Sequence, residues 1–241
     1  DSLSFKLFQD GAPVPLSDAL PVLEDMGLRV IEERPSKIKR AGASRVYLHD
    51  FELTHNEGAH LELTAVRTNF HETFADVWAG RAESDGFNRL VLRAGLACRE
   101  IIVLRAYCKF LRQTRVTYSQ SYMEQALSAN PEIASQLIDL FVVRFDPNIE
   151  EHDRPLRLSD IWGTIENALD AVANLDEDRI LRSFLGAILA TVRTNYYVTD
   201  VEGRRLPYLS LKLDSGALPE LPEPRPLYET FVYSPRVEGV H

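Results

Sequence analysis

The sequence SFKLFQDGAPVPLSDALPVLEDMGLRVIEERP (residues 4–35) contains a strand pattern, a turn, a helix pattern and a second strand pattern in close succession. Over residues 4–9 the pattern predicts a strand with Phe5 and Leu7 on one face and Phe8 on the other, because side chains alternate across a strand. A turn of glycine and proline residues follows this strand directly. The first elements therefore alternate in type.

A helix is predicted next, because Leu16, Leu20 and Leu23 recur at helical spacing. Pro21 lacks the backbone N–H that a helix interior uses, so we expect it in the first turn. Gly27 suits the left-handed position that ends a helix. The second strand begins immediately after this glycine.

Further elements extend the alternation. Strands are predicted at Leu28–Arg34 and Val46–Leu53, and a helix at Ala65–Gly80. The order β-α-β-β-α lacks one final strand of a ferredoxin-like βαββαβ module. Residues 87–92 (FNRLVL) are the candidate for that strand, and they could equally open the next helix. The predicted fold class is α+β.

From residue 88 to residue 197 the pattern is mostly helical, with apolar side chains on regular stripes. Asn130 followed by Pro131 is typical of a helix start, since proline is tolerated at the first helical position. Such helices are expected to pack together as a bundle or arm. One predicted helical row runs through Ile180, Phe184, Ile188 and Val192.

After the helices the pattern returns to strands, at Tyr208–Leu213 and Tyr228–Tyr233. We therefore predict three parts: a ferredoxin-like module over 1–87, a helical domain over 88–197 and an extended or β segment over 198–241. The chain opens without Met and closes directly after a strand pattern, so we expect a piece of a longer protein.

Composition excludes several classes of function. The 241 residues are 45% hydrophobic and carry a net charge of −9, as expected for a folded domain that does not neutralise phosphates. Nucleic acid and membranes are therefore not expected as partners. Cys98 and Cys108 lie in an apolar helical run, which predicts buried free thiols in a reducing, cytoplasmic compartment.

The sequence contains no recognisable catalytic or cofactor-binding motif. Glycine-rich phosphate-binding motifs and nucleophile motifs are absent from the sequence, so neither nucleotide nor cofactor binding is predicted for this chain. Four histidines occur close together, but their spacing fits no standard zinc motif, and we predict surface or edge-strand positions for them. These histidines are His49, His55, His60 and His71.

One loop is a candidate binding site. In a βαββαβ module the loop from the first strand into the first helix presents backbone N–H groups at a helix N-terminus, where a small carboxylate can bind. The alternative is a plain connecting turn, stiffened by Pro13 and Pro15. The candidate effector residues are Gln9, Asp10, Gly11, Ala12, Val14 and Leu16.

Six long, uncommon strings occur in a characteristic order along the chain. Besides residues 4–35, these strings are VYLHDFEL (46–53), FADVWAGRAESDGFNRLVLRAGLACREIIVLRAYCKFLRQ (74–113), RTNYYVTD (193–200), PYLSLKLD (207–214) and FVYSPRVEGVH (231–241). In these strings and their order the chain resembles the large bacterial NAD-specific glutamate dehydrogenases, and the resemblance covers essentially the whole chain.

The resemblance implies an ACT-like regulatory module, a connecting helical region and, from about residue 207, the opening strands of a glutamate-binding domain. It also implies that the catalytic lysine and the glycine-rich NAD segments of this family lie beyond residue 241. The loop from residue 11 to residue 16 is longer and richer in proline than the ligand-binding loop of ACT modules.

The expected function is that of a non-catalytic regulatory and structural segment, with NAD serving only the parent enzyme. The alternatives are an amino-acid-binding allosteric module and a subunit-assembly element. Expected partners are the remaining domains of the parent chain, further copies in a homo-oligomer and an amino-acid effector.

Overall fold

The computed structural model describes residues 3–39, 45–55, 63–219 and 221–241. Along these residues the chain passes from a mixed module through a helical region into a second sheet. This order confirms the predicted α+β class. The predicted domain boundaries themselves stay predictions.

The N-terminal module is an antiparallel sheet covered by two helices. In the described residues the strand order is β1-β3-β2, with Leu3 opposite Leu53 and Asp10 opposite Val46. This is the order that the predicted ferredoxin-like module requires. The elements are β1 (Leu3–Asp10), α1 (Leu16–Asp25), β2 (Leu28–Lys39), β3 (Arg45–His55) and α2 (Leu63–Trp78).

Alternating burial gives the module its inner face. Phe5 lies between the sheet and α2, with ring centroids 5.6 Å from Phe70 and 4.8 Å from Phe74. Leu23 of α1 and Met26 directly after it are fully buried. The predicted facing of β1 is confirmed, since Phe5 and Leu7 are partly buried and Phe8 is exposed.

The segment that could have been a fourth strand is helical. Gly86–Arg89 form a 3₁₀ turn, and α3 (Leu90–Arg93) follows it. The Asp85 side chain starts the turn by accepting a hydrogen bond from the Phe87 N–H at 3.1 Å. Such a side-chain acceptor satisfies a donor that a helix start leaves unpaired.

Five longer helices make up the rest of the described helical region. Ser119 starts one helix by accepting from the Tyr122 N–H at 3.2 Å, and Asn174 starts another by accepting from the Asp176 N–H at 2.9 Å. The helices are α4 (Cys98–Leu111), α5 (Gln120–Ala129), α6 (Pro131–Phe145), α7 (Arg154–Asp170) and α8 (Leu175–Ala190).

A second antiparallel sheet closes the chain. Its order in the described residues is β4-β5-β6-β7, and the predicted inward alternation of β5 is confirmed because Leu209, Leu211 and Leu213 are buried. The strands are β4 (Thr191–Thr194), β5 (Leu209–Asp214), β6 (Tyr228–Ser234) and β7 (Val237–Val240).

Two local predictions were wrong. Val192 is not helical, because α8 ends at Ala190, two residues earlier: Thr191 Oγ1 donates to the Ala187 carbonyl at 2.8 Å, and the chain then pairs with β5. Pro21 lies inside α1 beyond its first turn. A proline is tolerated at this position because both affected residues face solvent. They are Pro21 itself and Ser17, whose carbonyl has no N–H of residue 21 to accept from.

Nearly all of the described buried apolar side chains belong to one cluster that runs from the first sheet through the helices to the second sheet. Among the described residues, no helix is long and apolar enough to cross a membrane. The two sheets are therefore joined by packed side chains and not only by the chain connection.

Candidate functional site

The predicted effector residues lie together at the end of β1. Gly11 makes the turn with a φ of +86°, and its N–H donates to the Arg45 carbonyl at 2.9 Å. Val14 is buried, and its N–H donates to Nε2 of His49 at 3.1 Å. Leu16 opens α1 and is exposed. The structure thus gives the N–H groups of Gly11, Ala12 and Val14 partners within the chain, and effector binding stays a prediction.

His49 corrects the expectation that the histidines lie at surface or edge-strand positions, since it is buried on β3, the central strand of the described sheet. Its ring is buried between the effector loop and β2, and its Nδ1 lies 2.9 Å from Oε1 of Glu33. Because Nε2 accepts from Val14, the ring proton is on Nδ1 and is donated to the carboxylate. His60 lies outside the described residues. Within the described ranges no three metal-binding side chains come together.

Arg105, on α4, makes several hydrogen bonds to the segment between residues 83 and 88. It is fully buried and binds both carboxylate oxygens of Asp85, each at 2.8 Å. The same guanidinium donates to Oδ1 of Asn88 at 2.7 Å. Bidentate pairing of this kind fixes both distance and orientation, so Arg105 holds α4 against the 3₁₀ turn.

The environment of Arg105 keeps its charge in place. Burial alone would lower the pKa of this guanidinium, but the hydrogen bonds and negative charge of Asp85 outweigh it and raise the pKa above its ordinary value. Glu83 and Tyr233 lie nearby and act in the same direction. The ion pair is therefore a permanent structural contact at physiological pH.

Glu83 connects the same region to the second sheet. Its carboxylate accepts a hydrogen bond from the Tyr233 hydroxyl of β6 at 2.9 Å and pairs with Lys109 of α4 at 3.2 Å. Burial raises the pKa of Tyr233, which keeps the hydroxyl protonated as a donor. A groove of about 490 Å³ lies beside this contact, between residue 83 and the β6–β7 hairpin.

Ser84 connects the region back to the first sheet. Its hydroxyl donates to Oδ2 of Asp25, at the end of α1, at 2.7 Å. Three consecutive residues therefore bind three parts of the molecule: Glu83 binds the second sheet, Ser84 the first module and Asp85 the helical region. We refer to residues 83–85 as the junction segment.

Helix α5 is tied to the junction segment by a buried acid. Glu124 accepts from Nε2 of Gln120 at 2.9 Å, and the same amide group donates to Asp85 at 3.2 Å. Burial raises the pKa of Glu124, with the charge of Asp85 adding to it and Gln120 opposing it. Gly86 fits closely, because an added Cβ would lie 2.6 Å from Oε2 of Glu124.

A second set of contacts holds the start of the second sheet. Arg144 of α6 donates to the carbonyls of Leu189 at 3.0 Å and Thr191 at 2.9 Å. The buried Tyr107 hydroxyl meets Oγ1 of Thr191 at 2.8 Å. These bonds satisfy carbonyls at the end of α8, so they position the first strand of the sheet.

The two cysteines are free and buried, as the sequence predicted. Burial raises the pKa of Cys98 to about 11 and that of Cys108 to about 12. Both thiols are therefore protonated near neutral pH, and neither is activated as a nucleophile.

The binding role of the junction segment was not predicted from the sequence. Residues 83–85 read ESD, an ordinary polar loop, and their partners lie up to 150 positions away. One signal was present: Arg105 interrupts the apolar run IIVLRAYC (residues 101–108), and an arginine inside a buried stripe requires a charged partner.

Three family models match consecutive parts of the chain. A glutamate dehydrogenase ACT3 domain matches residues 1–66, and glutamate dehydrogenase helical motif 3 matches residues 82–147. The catalytic domain of bacterial NAD-glutamate dehydrogenase matches residues 164–241. The junction segment thus lies at the start of the second match and contacts residues of the other two.

Whole-sequence relatives agree with these matches. The chain is 45% identical over 239 residues to the NAD-specific glutamate dehydrogenase of Halomonas elongata. It is 42% identical over 241 residues to that of Pseudomonas aeruginosa and 41% identical over 240 residues to that of Mycobacterium tuberculosis. The alignments cover 97–99% of the chain, which spans about 15% of the length of each relative.

Proposed function

Because the chain belongs to the family of large bacterial NAD-specific glutamate dehydrogenases, we propose that it is a non-catalytic regulatory and structural segment of such an enzyme. In this proposal the segment joins an ACT-like module to the first strands of the glutamate-binding domain. The parent enzyme converts L-glutamate, NAD and water to 2-oxoglutarate, ammonia and NADH. NAD serves the parent and is not held by these residues.

The junction segment is the observation that carries this proposal. Its three side chains bind α1, α4 and β6 within hydrogen-bond distance, and Arg105 and Tyr233 are buried where they meet it. The residue that binds α1 is thus directly bonded in sequence to the residue that binds β6. Packed, hydrogen-bonded contacts of this kind are the physical basis on which two distant sites can be coupled.

An activity assay tests the non-catalytic part of the proposal. The purified 241-residue chain, mixed with L-glutamate and NAD, is expected to produce no NADH above a protein-free control. A complete enzyme of the family serves as the positive control under the same conditions. Turnover proportional to the concentration of the isolated chain would contradict the proposal.

Amino-acid binding at the effector loop remains the alternative function. The loop residues around Gly11 lie together and Leu16 is exposed, which would allow contact with a ligand. Calorimetry with a panel of amino acids tests this alternative directly. Heat of binding that disappears when Gly11 is replaced by Val would support an effector role, and silence across the panel would favour a purely structural one.

A further inference from the structure

A buried histidine holds the effector loop against the first sheet. The Val14 N–H donates to Nε2 of His49 at 3.1 Å, and Nδ1 of the same ring lies 2.9 Å from Oε1 of Glu33. His49 is 4% exposed and the Glu33 side chain is 14% exposed, so water competes little for either bond. The Val14 bond therefore depends on a nitrogen that accepts only while the ring is neutral.

The charged groups around this ring lie mostly on the other face of the sheet. On the inner face, β1 places Leu7 opposite His49, and the Phe51 ring of β3 stacks at 6.3 Å between centroids. Because side chains alternate across a strand, the nearest charged residues of β1 and β3 point to the outer face. These residues are Lys6, Asp10, Asp50 and Glu52.

On the inner face, Glu33 of β2 is the charged group that contacts the ring among the described residues. Lys37 lies further along β2, and its ammonium is held 5.6 Å from the ring centroid of Tyr47. Asp18 of α1 is exposed. A proton added to His49 is therefore met by one carboxylate and otherwise by apolar surroundings.

We propose that the contact of Val14, His49 and Glu33 is an acid-sensitive latch, in which protonation of His49 releases the effector loop from the sheet. A proton added at Nε2 turns the acceptor into a second donor, which then faces the Val14 N–H. Nδ1 keeps its own proton and continues to donate it to Glu33. Two donors cannot share a hydrogen bond, so the loop must move until other acceptors replace the lost one.

Glu33 determines how readily the latch opens. Its carboxylate attracts an imidazolium more strongly than a neutral ring, so it favours the protonated form. Burial and the lost Val14 bond oppose that form. Histidine side chains ordinarily change charge between about pH 5 and 8, where these opposing effects can be measured. The latch does not require that the loop bind an effector, so it stands apart from that alternative function.

Three substitutions in the 241-residue chain separate the latch from other effects of acid. Glu33→Gln keeps an oxygen that can accept from Nδ1 but removes the charge, so the opening should move to lower pH by about one unit. His49→Gln supplies an amide oxygen that can accept from Val14 and does not titrate, so the opening should disappear. The control His71→Gln removes an exposed histidine of the same module and should change nothing.

Amide hydrogen exchange followed by NMR, corrected for the intrinsic effect of pH on exchange, measures the protection of the Val14 N–H between pH 8 and pH 5. In the unchanged chain we expect this protection to fall about tenfold or more on acidification, since a buried donor loses its acceptor. The Met26 N–H, which donates to the Val22 carbonyl at the end of α1, should keep its protection.

Constant protection at Val14, or an equal loss at Met26, would overturn the proposal. So would the same loss in His49→Gln, or a midpoint pH that Glu33→Gln does not lower. Circular dichroism shows whether each variant is folded. If His49→Gln does not fold, the midpoint in Glu33→Gln decides alone.

Discussion

At the scale of single residues, the guanidinium of Arg105 ties α4 to the junction segment and has no contact with water. Arg105 is paired to Asp85 on both oxygens, and the carboxylate is itself only 12% exposed. The apolar stripe around Arg105 could be predicted from spacing. Its partners could not, because an ion pair between α4 and a loop 20 positions earlier depends on how the chain folds back.

Arg105→Met is expected to lower the free energy of unfolding by about 3 kcal/mol, because it leaves Asp85 buried without its partner. Urea unfolding at neutral pH measures the loss. The control is Arg81→Met, which removes an exposed ion pair with Asp76 and should cost less than about 0.5 kcal/mol. Equal losses in the two variants would show that the buried pair is not structural.

Glu124 gives the molecule a pH dependence with a definite sign. Burial raises the pKa of this acid above its ordinary value of 4.5, so its contribution to stability is complete below that pH and is lost as the pH rises through the raised pKa. Glu124→Gln should therefore stabilise the chain at about pH 8 and confer less advantage at about pH 4. Thermal unfolding at both pH values measures this trend, with the exposed Glu132→Gln as the control. An absent or reversed trend in Glu124→Gln would contradict the raised pKa of Glu124.

At the scale of elements, the strands and long helices were predictable, since each displays its own period. Their ends were less so: the row through Val192 continued a helical spacing that Thr191 interrupts by bonding back to the preceding turn. Segment 87–92 was ambiguous because a short apolar run suits either a strand or a helix. The cap provided by Asp85 resolves it as helical.

Gly163 and Gly86, neither of which has a positive φ, are expected to respond oppositely to alanine. Gly163 lies inside α7 with open space around its Cα, so Gly163→Ala should stabilise the chain by about 0.5–1 kcal/mol. Gly86→Ala should destabilise it by about 1–3 kcal/mol, since the new Cβ would displace Glu124. Chemical denaturation of both variants checks this, and stabilisation by Gly86→Ala would contradict the packing described.

At the scale of the whole molecule, the family and the succession of its parts could be predicted from the sequence, and the connection between the parts could not. The resemblance identified three consecutive regions, but the residues that bind them together are three ordinary polar side chains. Their role follows only from the positions of Asp25, Arg105 and Tyr233 around them.

Hydrogen exchange on the 241-residue chain tests this connection most directly, with Tyr233→Phe as the perturbation and Tyr228→Phe, at an exposed position of the same strand, as the control. Tyr233→Phe removes only the hydroxyl that donates a hydrogen bond to Glu83. We predict faster amide exchange both in β6 and in α1, which the junction segment links. Faster exchange confined to β6 and β7, with α1 unchanged, would contradict a coupling of α1 to β6 through the junction segment.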